Sequence, residues 1–144
     1  MKPIWFKPYT LKDLEKLRPK TLITHLGIEF IEVGPDFVTG RMPVDERVHQ
    51  ISGVLHGGAS VVLAETLGSL GATLVVDTDK QFCVGQEINA NHLRSVASGH
   101  VIGVARPFHI GATSHVWGID IRDEREKLVC VSRLTVAVRD LKAQ

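Results

Sequence analysis

Gly57-Gly58-Ala59-Ser60-Val61-Val62-Leu63-Ala64-Glu65-Thr66-Leu67-Gly68-Ser69-Leu70-Gly71-Ala72-Thr73-Leu74-Val75-Val76 is the stretch that decides the fold. Among these twenty residues Glu65 is the only charged one; eleven are Ala, Val or Leu, four Gly, two Ser and two Thr. At about 1.5 Å per residue the run would make a helix roughly 30 Å long, which is the length of a membrane span. A carboxylate nine residues in and four glycines argue against lipid, where an acid is costly. The stretch predicts instead a helix buried on nearly all sides.

Outward from this rod the pattern is mixed before it and strand-like after it. Thr10–Leu17 reads as a short helix, with Thr10 as N-cap, Asp13 in the first turn, leucines at 11, 14 and 17, and Pro19 as terminator. A second short turn covers Thr21–His25. Ile28–Val33 and Phe37–Val44 read as strands joined by Gly34-Pro35-Asp36. Asp45–Leu55 is polar and irregular, hence a loop. Beyond Asp77-Thr78-Asp79-Lys80, strands are predicted at Phe82–Leu93, Val101–Phe108, His115–Asp123 and Leu128–Val138, with a charged hairpin tip at Arg122–Lys127. Two strands, a long helix and four more strands make an α+β chain, an antiparallel sheet wrapped around one central helix. With 144 residues and no linker, repeat or low-complexity tract, residues 1–144 are expected to form one domain.

The composition narrows the function. Seventeen Lys and Arg against sixteen Asp and Glu leave a net charge of +1, and no basic run offers a nucleic-acid surface. Cys83 and Cys130 lie in apolar stretches without metal-ligand spacing, as buried free thiols suited to a reducing compartment. The N-terminus has no apolar core long enough for a secretory signal. A cytoplasmic protein is expected. His25, His100, His109 and His115 show no zinc spacing and read as surface or strand residues.

A carboxylate inside an apolar helix must meet a cation, accept hydrogen bonds, titrate upward or face a cleft. Glu65 could also point to solvent at a gap in the packing, or pair with a distant arginine. The residues upstream bear on that choice. His49-Gln50 and Gly53-Val54-Leu55-His56-Gly57-Gly58 lead straight into the helix. Paired glycines let a ligand approach the backbone, and the first helical amides have no internal partner. With the positive end of the helix dipole they form a site for developing negative charge, such as the oxyanion of an attacked carbonyl. Gly57 and Glu65 are eight residues apart, about 12 Å along one helix, whereas groups acting on one carbonyl must lie within roughly 3–3.5 Å of the reacting atoms. Two antiparallel copies could satisfy both needs, each helix start serving the other's Glu65. Gly58, Gly68, Gly71 and Ala72 would permit the close approach.

Gln50, the Gly53–Ser60 stretch, Ala64-Glu65-Thr66-Leu67-Gly68-Ser69 and Asn89-Ala90-Asn91-His92-Leu93-Arg94 together resemble the hotdog-fold acyl-CoA thioesterases. The similarity runs from about Trp5 to Val138. It is nearest to the Arthrobacter-type 4-hydroxybenzoyl-CoA group, the branch that includes 1,4-dihydroxy-2-naphthoyl-CoA and enterobactin proofreading thioesterases. The resemblance implies dimers sharing a continuous sheet, usually paired into tetramers, and hydrolysis of aromatic or medium-chain acyl-CoA to free acid and CoA. It implies Glu65 as nucleophile or as base for a water, the Gly57 N–H as oxyanion donor, and Gln50 and His56 orienting the thioester. Ser69, on the face of Glu65, would hydrogen-bond the carboxylate or a water. His92, Leu93, Arg94 and Ser95 would hold the nucleotide or pantetheine arm, with Gly85, His109, Gly111, Thr113 and Ser114 as further CoA contacts. Coenzyme A would enter as substrate; no metal or other cofactor is expected. Relatives often have Pro where this chain has Ser95, and a basic residue where it has Ala112.

Two other readings of the same fold are weighed. A 3-hydroxyacyl thioester dehydratase also uses His and an acid, but in a different arrangement. A non-catalytic acyl-CoA binding module would have no need for Gln50, His56 and Glu65 together.

Overall fold

A computed structural model of the chain describes residues 1–142. Two short helices, α1 (Leu11–Glu15) and α2 (Leu22–His25), precede strands β1 (Glu29–Val33) and β2 (Val38–Pro43). The long helix α3 (Gly57–Val75) follows. Strands β3 (Gln81–His92), β4 (His100–Ile110), β5 (Ser114–Asp123) and β6 (Leu128–Asp140) complete the order. All strand pairs are antiparallel, in the order β1-β2-β4-β5-β6-β3. The expected α+β hotdog architecture is present: one sheet curls around α3, which touches β2 through β6. Because α3 carries the chain across the whole sheet, β3 lands at the far edge and β4 returns to pair with β2.

Local chemistry sets the element ends. The Asp13 carboxylate accepts from the Thr10 N–H at 2.9 Å and from its hydroxyl at 2.8 Å, closing the first turn of α1. That helix stops at Glu15, two residues before the expected end at Leu17 and well short of Pro19.

The core forms where glycine on one layer meets bulk on the other. A Cβ at Gly71 would stand 2.6 Å from the Trp117 ring, and one at Gly68 would stand 2.7 Å from a Leu134 methyl. On the sheet, Gly40 and Gly103 make room for the two methyls of Leu67. Trp117 is fully buried and stacks on Trp5, ring centroids 6.4 Å apart, while the Trp5 indole donates to Gly34 O at 2.7 Å.

This packing corrects two expectations. Gly68, Gly71 and Ala72 bring α3 down onto its own sheet and are buried there, so they are not free for a second helix. Nor is α3 covered on nearly all sides within one chain. Leu63, Ala64, Leu67 and Ala72 are fully buried, but Val62, Glu65, Thr66, Ser69 and Thr73 form a stripe that stays partly open. The helix is long and apolar enough to cross a membrane, yet its apolar face is taken up by the sheet.

Cys83 is half-buried and Cys130 buried, both as free thiols, and burial pushes each above the ordinary thiol range. His115 is only 2% exposed, between β4 and β6, and its Nδ1 has no partner. Burial pushes its pKa below the ordinary 6.5, helped by the positive potential of nearby His109 and opposed by a backbone contact to Gly111. The folded state thus binds this proton less readily than the unfolded chain, so stability falls as pH drops through the unfolded value of about 6.5. Thermal unfolding of wild type should therefore shift down between about pH 7 and pH 5. His115→Phe should show a smaller shift over that window.

Candidate active site

The loop before α3 is built by a turn that aims Gln50. Its N–H donates to Val54 O at 2.8 Å and its carbonyl accepts from Gly53 N–H at 2.9 Å. Gly53 sits at φ +75, a left-handed conformation that glycine adopts without strain. The Gln50 side-chain oxygen accepts from the Ser52 N–H. His49 ties the loop to the neighbouring segment by a 2.9 Å contact to Ala97 O.

At the helix start, one amide is left over. The Gly58 N–H donates to His56 Nδ1 at 2.8 Å, and the Ala59 and Ser60 N–H groups donate to His56 O at 3.0 and 3.3 Å. Among the described residues, the Gly57 N–H has no partner. It is a free donor at the positive end of a five-turn helix dipole. Because Nδ1 accepts, His56 in this pose carries its proton on Nε2 and offers a second donor. The His92 ring rests directly on Gly57, where a Cβ would meet Nε2 at 2.7 Å. Gln50, Gly57, His92, Leu93, Arg94 and Ser95 share one cavity of about 330 Å³. Arg94 is exposed and enters none of the ion pairs among the described residues, so its guanidinium is free for an anion.

Glu65 lies elsewhere. Two turns down α3 it borders a separate cavity of about 400 Å³, together with Ser69. None of the ion pairs among the described residues includes Glu65, so of the alternatives left open by the sequence it takes the cleft. Its carboxylate is seated over Gly85 of β3, where a Cβ would come 2.6 Å from Oε1. The strand is bulged at that point, between Gly85 and Glu87, a device common beside active sites.

The remaining expected contacts form a third group. Gly111 N–H donates to Ser114 O at 2.9 Å in the β4–β5 turn, and Thr113 O accepts from Val138 N–H at 2.9 Å. Ser114 pairs with Ala137, which pairs with Val84, so the hairpin sits in rows neighbouring Gly85. His109 and Thr113 are exposed. One chain therefore joins Gln50, Gly57 and His92–Ser95, joins Glu65 with Ser69 and Gly85, and keeps the hairpin residues outside both cavities, one strand away from Gly85. Sequence reasoning missed the walls of the Glu65 cavity, Leu17, Leu22, Ile23 and Phe30. The helical spacing of Val62, Thr66 and Thr73 around Glu65 was the available signal for the rest.

The sequence pattern of the thioesterase superfamily matches residues 52–130. The chain is 48% identical over 135 residues to the proofreading thioesterase of Cronobacter turicensis, covering 94% of this chain and 98% of that one. It is 45% identical over 135 residues to the 1,4-dihydroxy-2-naphthoyl-CoA hydrolase of Escherichia coli, with coverage of 94% and 98%. A crystal structure of a Haemophilus influenzae thioesterase superposes with a TM-score of 0.93 at 48% identity, covering 98% of both chains. The chain belongs to the thioesterase superfamily.

As a thioester hydrolase it must stabilise an oxyanion and bring a carboxylate to the same carbonyl. In this thioesterase the match starts at residue 52, so α1, α2, β1 and β2 lie outside it. Gly85 lies against the Glu65 carboxylate, whereas His92–Ser95 line the cavity at the helix start. Gly85→Ala should leave the fold intact, since the carboxylate at the end of a flexible side chain can move away. It should lower kcat by about 10- to 100-fold with little change in KM, the effect of a catalytic group displaced by about 1 Å. Steady-state kinetics beside an unfolding curve check this. An unchanged kcat would mean that Glu65 does not act from its present seat.

Proposed function

We propose that this thioesterase hydrolyses aromatic or medium-length acyl-CoA at a site shared between two copies of the chain. The observation that carries the reading is the separation of a free helix-start amide from a carboxylate set in an apolar cavity. Eight residues of helix put them about 12 Å apart, and among the described residues the cavity that Glu65 borders is separate from the two that Gly57 borders. The open edge of β3 supplies the remedy. It is twelve residues long, with Glu87 its only acid or base besides the terminal His92, and with Phe82 and Val84 about half exposed. Such an edge is a template for pairing.

This same strand touches Glu65 at Gly85 and Gly57 at His92. Antiparallel pairing of two β3 edges would bring the Gly85 end of one copy toward the His92 end of the other. A continuous sheet and two complete sites would follow, and pairs of such dimers would form the homotetramer. In each site Glu65 attacks the carbonyl or activates a water, and Gly57 of the other copy receives the oxyanion. Gln50 and His56 orient the thioester, and Ser69 steadies the carboxylate or the water. His92, Leu93, Arg94 and Ser95 take the CoA arm, with His109, Gly111, Thr113 and Ser114 as outer contacts. Ser95 and Ala112 leave Arg94 the main phosphate ligand. The reaction as written needs no metal or added cofactor, and its dependence on CoA supports the cytoplasm as its compartment. The similar enzyme named for 1,4-dihydroxy-2-naphthoyl-CoA supports an aromatic acyl group.

Thiol release from a panel of acyl-CoAs tests the chemistry. Glu65→Gln should lose at least about two orders of magnitude in turnover while staying folded. A near-normal rate would remove Glu65 from the mechanism. Subunit mixing tests the sharing. Glu65→Gln and Gln50→Ala proteins, each inactive, should regain activity when refolded together, because a mixed dimer rebuilds one intact site. Light scattering on the same samples reports the assembly, and a fully active monomer would contradict it.

A further inference from the structure

We infer that the strap from Leu17 to Ile23, which runs from beyond α1 into the first residues of α2, is the outer wall of the acyl cavity and limits the size of the acyl group. The inference rests on the reading of Glu65 as the catalytic carboxylate and adds to it the element that sets selectivity. Val62, Thr66, Ser69 and Thr73 of α3 line the inner side of the cavity. Phe30 of β1 closes its base, and Leu17, Leu22 and Ile23 face α3 across it. Leu17 and Leu22 are each 54% exposed, while Phe30 is 6% exposed. Large apolar side chains half in water beside an apolar trough mark a surface that a ligand would cover.

The strap is anchored rather than loose. Leu14 before it and Ile28 beyond it are buried at 1% and 0%, and Leu26 at 8%. The Thr21 hydroxyl within it and the Thr24 hydroxyl just beyond it both donate to Arg18 O at 2.5 Å. An Arg47 N–H donates to His25 O at 3.1 Å and holds the end of α2. A wall fixed at both ends can exclude by shape instead of adapting to every guest.

The cavity runs along the helix from its carboxylate. From Glu65 to Thr73 is eight residues, so a carbonyl at Glu65 leaves a trough of about 12 Å. With a volume of about 400 Å³, it fits a fused bicyclic aryl group or a medium acyl chain, and short acyl groups would leave it half empty. Thr73 donates its hydroxyl to Ser69 O at 2.9 Å, so the far end presents little polarity to the guest. The Thr66 and Ser69 hydroxyls near the carboxylate remain the polar points on the wall.

Leu22→Trp fills the trough from its solvent side, in a cavity separate from those at the helix start. It should lower kcat/KM for octanoyl-CoA and 2-naphthoyl-CoA at least about tenfold more than for acetyl-CoA and propionyl-CoA. Leu17→Ala should shift the preference the other way. Calorimetric binding of an octanoyl-CoA thioether, which cannot be hydrolysed, gives a readout independent of turnover. Leu22→Trp should weaken it by at least about tenfold while binding of CoA alone is unchanged. If wild type cleaves none of the panel, the proposed function fails and the thioether still judges the wall. If wild type is active but Leu22→Trp changes all acyl lengths alike, or none, and thioether affinity is unaltered, the strap is not the acyl wall.

Discussion

The close seating of α3 on the sheet is the constraint from which the rest follows. It depends on the missing side chain of Gly71 beneath Trp117, of Gly68 beneath Leu134, and of Gly40 and Gly103 around Leu67. These contacts fix the rotation of the helix as well as its height. With the 63, 64, 67, 68 and 71 face locked down, the 62, 65, 66, 69 and 73 stripe has to face outward. Glu65 therefore emerges beside β3, at the boundary between the covered and open faces. The cost of placing an acid in an apolar rod is avoided by aiming it into a cleft, with no cation required.

The two ends of this arrangement are prepared differently. At the helix start, His56 takes up three of the first amides, one with its ring and two with its carbonyl, and leaves Gly57 alone unpaired. Selecting one donor in this way gives direction to a dipole that would otherwise be shared among four N–H groups. At Glu65 the preparation is steric: Gly85 gives up its side chain, and a bulge follows it. Both preparations involve the same strand, since β3 carries His92 to the first place and Gly85 to the second.

Much of this could be read from the residues. The helix predicted at 57–76 is found at Gly57–Val75, and the strand predicted at Phe82–Leu93 is found at Gln81–His92. Long apolar periodicity and clear turn residues make such elements local properties. The special standing of Gly57 followed from its place at a helix start. Spatial order is less local. Nothing in the β3 sequence says that it lies beside β6 at the edge, because that depends on how far α3 carries the chain. The small residues of α3 were misread for a related reason. Gly and Ala announce close approach without saying to what, and here the neighbour is the chain's own tryptophan and leucines. The partner of Gly85 was likewise hidden, since a glycine carries no mark of which side chain occupies its space.

The strap is the least legible part, and the reason is physical. Leu17, Leu22 and Ile23 look in sequence like the apolar positions of marginal helices, five and four residues long once formed. Helices so short have little stability of their own. They are held by tertiary anchors at Leu14 and Ile28 and by hydroxyls folding back on Arg18. Leu17 and Leu22 thus border the cavity while half exposed, and Ile23 borders it while also packing against the core. The fold can then assign its tasks to separate elements: the buried glycines hold the helix, the helix start presents the Gly57 amide, Gly85 of β3 seats the Glu65 carboxylate, and the strap borders the cavity beside that acid. Substitution in the strap can alter what fits beside Glu65 without disturbing the interlock that orients it, because the two surfaces lie on opposite faces of α3.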